Sequence, residues 1–158
     1  MSSRVLRNAL LSSALVGVLS IPAAHAAQVT DTFQVTATVE AECEVSATDL
    51  DFGTIDLQTD NNSTTTVSYR CTAGTVATIG LTYAAMTNGS GGTLAYGLFQ
   101  NNTGTPWDDT NTQVMPAANG VHHLETATVY GTVTSAQAQA NGVEVGNYTD
   151  TVTVTLEF

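Results

Sequence analysis

Basic residues are almost missing from this sequence. It contains three arginines and lysines against fourteen aspartates and glutamates, which gives a formal net charge of −11. All fourteen acidic residues lie after position 26 and Arg70 is the one basic residue there, so residues 27–158 carry a formal charge of −13. Phosphate backbones and anionic lipid surfaces repel so acidic a chain. The composition therefore argues against binding to nucleic acid or to a membrane surface, and the acidity is typical of a soluble protein.

The sequence also lacks an apolar segment long enough to cross a membrane. Its longest apolar run, residues 9–21, is interrupted by serines and is shorter than the roughly 20 residues that a spanning helix needs. Arg4 and Arg7 precede the run, and small residues ending at Ala26 follow it. This arrangement predicts a secretory signal peptide over residues 1–26 rather than direct membrane insertion. The mature chain would hold 132 residues, enough for one domain with a hydrophobic core.

Cysteine is limited to Cys43 and Cys71. An even number of cysteines in an exported chain predicts a disulfide bond. Closing a loop of this length would stabilise the fold by about 3.6 kcal/mol on the loop-entropy account. The sequence has no C-x-x-C motif and no second pair of ligands at metal spacing, which argues against a zinc site or a redox-active thiol pair.

Groups suited to catalysis are equally scarce. His122 and His123 are adjacent, and neighbouring residues of a strand point to opposite faces, so they could share a metal only within a turn. A copper site built with Met115 would need a reduced cysteine. No G-x-S-x-G hydrolase motif occurs, and the acidic turns do not match a calcium-binding EF-hand loop. We predict no enzyme activity, no metal and no cofactor. Trp107 is expected in the core, with contact to a sugar as the alternative.

Frequent threonine and valine, punctuated by glycine and asparagine, favour an all-β domain. Only residues 135–140 have a helical composition. Seven short strands separated by turn signals are typical of an immunoglobulin-like sandwich. The runs predicted as strands are residues 32–45, 50–57, 64–71, 76–83, 93–99, 127–133 and 148–158.

The two ends of the mature chain share one pattern, in which apolar and polar residues alternate as in a strand with one buried face. Asp31 and Asp150 are the only polar residues on the two apolar faces. The apolar face of the first end consists of Val29, Phe33, Val35, Ala37 and Val39, and that of the last end of Tyr148, Val152, Val154, Leu156 and Phe158. In an ordinary sandwich, the first segment would be the domain's own first strand and the last a buried central strand.

Several motifs together resemble the spore coat protein U domain, the family of the Csu-type pilins of archaic chaperone-usher pili. Members often carry glycine after the tryptophan, whereas this chain has Asp108 and Asp109. The motifs that carry the resemblance are AECEVSA around Cys43, LDFGTI at 50–55, VSYRC at 67–71, LAYGLF at 94–99, the dipeptide PW at 106–107, VYGTV at 129–133 and the closing NYTDTVTVTLEF.

The resemblance implies an incomplete sandwich that lacks its seventh strand. A periplasmic chaperone first lends a strand to the open groove, and at the outer-membrane usher the N-terminal arm of the next subunit replaces it. In this sequence the donor arm would be residues 27–39, ahead of a sandwich domain at residues 40–158. The donor side chains would be Val29, Phe33, Val35, Ala37 and Val39, and the acceptor and chaperone-binding edge would present Val152, Val154, Leu156 and Phe158.

The implied function is structural. The expected protein is an exported subunit that forms a homopolymer at the cell surface, together with related pilins, for adhesion and biofilm formation. Two alternatives stay open at this point. One is a secreted coat protein of a spore or resting cell, which need not keep a free donor arm. The other is a carbohydrate-binding adhesin domain.

Overall fold

A computed structural model describes residues 27–158; the predicted signal peptide, residues 1–26, lies outside them. The chain divides into two units, of which the first reaches Ala37 and the second is Thr38–Phe158. Residues 27–42 adopt neither helix nor strand. The predicted strand at residues 32–45 is therefore wrong over most of its length, because regular pairing begins only at Cys43.

The second unit is almost entirely antiparallel β structure, as the sequence predicts. In chain order its elements are β1 (Cys43–Ala47), β2 (Asn61–Cys71), β3 (Thr78–Thr82), β4 (Met86–Thr87), β5 (Thr93–Leu94), β6 (Gly97–Phe99), β7 (Gln113–Val114), β8 (Glu125–Val133), the short helix α1 (Ser135–Ala138) and β9 (Thr153–Glu157). One sheet has the strand order β1-β2-β8-β6 and a second has the order β7-β3-β9, while β4 and β5 form a small ribbon.

The two larger sheets pack face to face around one core. Val67 and Tyr69 of β2 alternate with more exposed neighbours, and both belong to the same buried cluster as Ile79 and Leu81 of β3. Val129 of β8 joins them. Side chains from both sheets thus share one interior, which confirms the prediction of an all-β sandwich.

Trp107 connects the two sheets at the centre of this core. Its side chain is 0% exposed, its indole N–H donates to the carbonyl oxygen of Ile79 at 2.9 Å, and its backbone N–H donates to the carbonyl oxygen of Leu98 at the same distance. Ile79 lies in β3 and Leu98 in β6, so one residue is tied to both sheets. The core role predicted for Trp107 is confirmed, and the side chain is not accessible to a sugar.

The cysteines bond to each other across neighbouring strands. Cys43 of β1 lies opposite Cys71 of β2, with their Cα atoms 4.1 Å apart, and the pair forms the predicted disulfide bond. The next cross-strand pair is Glu44 and Arg70, whose guanidinium Nε donates to a carboxylate oxygen at 2.8 Å. A covalent bond and an ion pair therefore fasten β1 to β2.

The strand predicted at residues 50–57 is wrong. Apolar residues alternate there, but local hydrogen bonds replace strand pairing: the N–H of Gly53 donates to Asp51, and that of Gln58 donates to Asp56. Gly53 also has a φ of 65°, which turns the backbone out of the extended conformation. The side chains of Leu50 and Phe52 pack instead over Gly131 of β8, in the first sheet.

Candidate functional site: an open groove beside β9

The last strand lies at the edge of its sheet. β9 pairs with β3 on one side, where Val154 lies opposite Leu81 and Leu156 opposite Ile79. Among the described residues, no strand pairs with its other side. An unpaired edge presents backbone N–H and C=O groups at which a further strand can add.

A cavity of about 570 Å³ opens beside this edge, between the two sheets. Its floor is formed by four core residues that are at most 3% exposed, one each from β2, β3, β6 and β8: Val67, Leu81, Leu98 and Val129. Val152 and Val154 form the wall on the β9 side. One side of the sandwich core thus forms the apolar floor of a groove.

Residues 47–52 form the opposite wall. The side chains of Leu50 and Phe52 lie over Gly131 of β8, where a Cβ atom would be only 2.8 Å from the first and 2.9 Å from the second. Hydroxyl groups of β2 hold this wall, because Ser63 donates to the carbonyl oxygen of Asp51 and Thr65 to that of Thr48, each at 2.6 Å. Side-chain hydrogen bonds therefore attach the wall to the first sheet where the strand ladder has ended.

Asp150 lies near one end of the groove, next to Tyr148 and Thr149 in its lining. Two backbone hydrogen bonds join Thr149 to Thr87 of β4, and regular pairing with β3 starts only at Thr153. In the gap, a carboxylate oxygen of Asp150 accepts from the N–H of Ala84 at 2.9 Å and from the hydroxyl of Tyr96 at 2.7 Å. The only polar residue on the apolar face of this segment thus satisfies a backbone N–H at an interruption of the ladder.

The hydrogen bonds of this cluster set the direction of two pKa shifts. Burial alone would raise the pKa of Asp150, but the hydrogen bonds from Tyr96, Ala84 and Thr151 outweigh it, so the pKa lies below its ordinary value. Burial, followed by the hydrogen bond to Asp150 and its charge, raises the pKa of Tyr96. At neutral pH, Asp150 is therefore ionised and Tyr96 is protonated, and the carboxylate accepts a hydrogen bond from the phenol.

This depressed pKa predicts a pH-dependent contribution to stability. A carboxyl group whose pKa is lower in the folded than in the unfolded state stabilises the fold above the unfolded value and loses that contribution as the pH falls through the folded value. We expect Asp150→Asn to be less stable than the natural sequence at pH 7, with the difference shrinking as the pH falls below 3.8, the ordinary value. Urea unfolding of both proteins from pH 7 to pH 2 measures it; a constant difference would contradict the assignment.

The arm residues named from the sequence all lie exposed. Val29, Phe33, Val35 and Val39 are between 81% and 93% exposed, and Ala37 is exposed as well. Four large apolar side chains in one short segment are thus available for burial by a partner. Single exposed apolar residues are common on proteins, but a run at alternate positions is a feature of interaction sites.

The edge residues named from the sequence fall into two groups. Val152 and Val154 line the groove, and Leu156 packs against the core beside them. Phe158 lies beyond the end of β9 and is 61% exposed. Burial therefore follows the alternation within β9: Val154 and Leu156 are half-buried, and Thr153, Thr155 and Glu157 are exposed.

Sequence reasoning missed the wall at residues 47–52 and the pairing of Tyr96 with Asp150. Alternation in the LDFGTI segment predicts a strand and therefore gives no indication of a wall. The signal against a strand is Gly53, which directly follows Phe52. A break in the alternation at Asp150 was visible, but nothing in the sequence pointed to Tyr96, which is 54 residues away. Contacts over such distances depend on the topology of the sheets.

Within residues 27–158, no group of three or more histidines, cysteines, aspartates or glutamates lies close enough together to hold a metal ion. The nearest ring nitrogen of His123 is 3.0 Å from a carboxylate oxygen of Glu125, and both histidines are exposed. No helix in this part of the chain combines the length and apolar character needed to cross a membrane.

The groove, the unpaired β9 and the disulfide-linked sandwich accompany a family match over most of the chain. A family model of the Spore Coat Protein U domain matches residues 29–155. The chain belongs to the Spore Coat Protein U domain family. A comparison with curated proteins finds no match.

Among solved structures, this Spore Coat Protein U domain protein is similar to a chain in the crystal structure of the CsuC–CsuE chaperone–tip adhesion subunit pre-assembly complex from the archaic chaperone-usher Csu pili of Acinetobacter baumannii. The TM-score is 0.58 with 24% sequence identity, and the alignment covers 77% of the present chain. It covers 41% of the other chain, so the present sequence spans less than half of that relative. At this identity the likeness establishes a shared fold.

Proposed function

We propose that this protein is a structural subunit of a chaperone-usher surface pilus that polymerises by donor-strand exchange. The observation that carries the proposal is the open groove beside β9, a cavity of about 570 Å³ with an apolar floor. The arm of a second copy is the proposed occupant. That arm presents four large, exposed apolar side chains at alternate positions, which is the spacing of residues on one face of a strand.

Strand addition supplies both affinity and specificity. Backbone hydrogen bonds to the free edge of β9 give affinity, and the alternate side chains of the arm fit the groove in one register. Burying Phe33, Val35 and Val39 at roughly 1.5 to 3 kcal/mol each would contribute about 4.5 to 9 kcal/mol before the cost of ordering the arm. Ala37 contributes less, and the backbone hydrogen bonds to β9 add to this contribution.

A contact between one copy's arm and the next copy's groove is head-to-tail. Such contacts use two different surfaces of the subunit, so each added copy leaves one groove and one arm unused. When the rotation between copies does not close a ring, the result is a filament. This is the physical basis for proposing a fibre.

The open groove also requires protection before assembly, since an unpaired strand edge beside an apolar groove promotes aggregation. A periplasmic chaperone would cover it first, an outer-membrane usher would exchange chaperone for arm, and the fibre would be exported to the cell surface. The structurally similar chain comes from a chaperone–subunit complex, which supports a chaperone as the first partner. Adhesion and biofilm formation are the roles we propose for the fibre.

Deleting residues 27–39 tests this function. We expect the shortened subunit to bind its chaperone, because its groove is intact, and to form no fibres in electron micrographs. The control is the full mature chain released from the same chaperone, which should form them. A coat protein need not retain a free donor arm, so fibre formation that is unchanged by the deletion would favour the coat function and contradict the pilus.

A further inference from the structure

The groove offers a limited number of positions to an incoming strand. On the β9 side, residues 148–152 and Val154 line it, and those on the apolar face of the alternating segment are Tyr148, Asp150, Val152 and Val154. The next inward residue, Leu156, does not line the cavity and packs against the closed core instead. The groove therefore has four positions beside the last segment of the chain.

The arm has a matching number of consecutive apolar residues on one face. Phe33, Val35, Ala37 and Val39 follow one another at alternate positions, and Asp31 ends the series on the N-terminal side. A carboxylate in an apolar groove is unfavourable unless it is paired, and the described part of the chain contains Arg70 as its one basic side chain, already paired with Glu44. Alignment of four residues with four positions leaves Asp31 outside the groove.

The positions of the groove are not equivalent. At Asp150 the carboxylate is fixed by Ala84 and Tyr96, and the ring of Tyr96 packs against Tyr83 at a centroid distance of 5.1 Å and against Phe52 at 6.1 Å. A carboxylate and a hydrogen-bonded aromatic ring thus lie at the position next to the Tyr148 end of the groove. A large apolar side chain fits poorly here, whereas a methyl group needs little space.

The two possible directions of the arm place different residues at Asp150. An arm parallel to β9 puts Val35 beside Asp150, whereas an antiparallel arm puts Ala37 there and Phe33 beside Val154, over the apolar floor. All six strand pairs of the domain are antiparallel. The small size of Ala37, the polar surroundings of Asp150 and the antiparallel pairing of the domain all favour the antiparallel arm.

We infer that Asp150, which is hydrogen-bonded to Tyr96, fixes the register of the incoming arm. The position in the groove beside Asp150 accepts only a short side chain, and that side chain is Ala37. The inference rests on the proposed donor-strand exchange and adds the residue pair that aligns the two copies. Asp150 acts as a positioning residue: it excludes larger side chains at one point, and the other three positions then receive Val39, Val35 and Phe33.

The first test enlarges the short side chain. Ala37→Leu should slow assembly of the chaperone-released mature chain on the order of tenfold, the usual effect of overfilling a packed site. Ala27→Leu, the same change on the same face but outside the groove, should assemble at the natural rate. The double variant Ala37→Leu with Asp150→Ala should recover most of the lost rate. Equal rates for the two single variants, or no recovery in the double variant, would overturn the inference.

A second test detects register directly through cysteine pairs in neighbouring copies. Residues directly opposite on antiparallel strands have Cα atoms about 4.5 to 5.5 Å apart, within reach of a disulfide bond. Phe33→Cys with Val154→Cys should therefore cross-link copies into a ladder, and Val39→Cys with Val154→Cys should not. The reverse result would establish the parallel arrangement and overturn the inference. If the natural chain formed no fibres at all, the proposed function itself would fail.

Discussion

Replacing Val35 with aspartate is expected to abolish fibre formation. On the proposed exchange, this side chain enters an apolar groove whose floor includes Val67 and Val129, both at most 2% exposed. An unpaired carboxylate in such surroundings costs several kcal/mol, which corresponds to a loss of assembly on the order of 100-fold or more. Sedimentation of assembled material and electron microscopy of the mature chain, released from its chaperone, measure the effect.

Thr36→Asp is the matched control for this prediction. It adds the same charge one residue away, on the face that points out of the groove, so we expect only a mild effect. Chaperone binding should be unchanged in both variants, because neither changes the groove. If Val35→Asp and Thr36→Asp behave alike, the two faces of the arm have been assigned wrongly.

Replacing Trp107 with alanine is expected to have the largest effect on stability. The side chain is completely buried and donates a hydrogen bond to the carbonyl oxygen of Ile79, so its removal leaves a cavity and loses that hydrogen bond. Deletions of this size cost about 3 to 5 kcal/mol, a large part of the 5 to 15 kcal/mol typical of a whole domain.

Chemical denaturation of the mature protein, followed by circular dichroism, measures this loss. Trp107→Phe is the control, because it keeps most of the apolar volume and loses the hydrogen bond, and we expect it to be less damaging than alanine. A variant with alanine that is as stable as the natural protein would contradict the central position of Trp107. The same result would favour the alternative that Trp107 contacts a sugar at the surface.

Features that depend on local pattern and composition were predictable from the sequence. The disulfide follows from two cysteines in an exported chain, and the sandwich follows from short alternating runs rich in threonine and valine. The apolar face of the final segment also follows from alternation, and it is expressed at Val154 and Leu156. In each case composition or a local pattern carries the signal.

Features that depend on contacts between distant segments were not predictable in the same way. Leu50 and Phe52 alternate as in a strand, yet they pack over Gly131, some 80 residues later, and form a wall of the groove. Asp150 interrupts the alternation, but its hydrogen bonds to Ala84 and Tyr96 depend on where β3 ends and β9 begins. Local sequence specified these side chains without specifying their partners.

The stability of the body without its arm tests the central claim most directly. The measurement is thermal unfolding of the chain lacking residues 27–39, free of chaperone, with and without a synthetic peptide of residues 27–39. We predict that the shortened chain alone is unstable and aggregates, and that the peptide raises its unfolding temperature with increasing concentration, since a ligand that binds only the folded state stabilises it. The peptide with Val35→Asp should have no effect. A soluble, stable monomer that does not respond to the natural peptide would show that the sandwich is complete by itself.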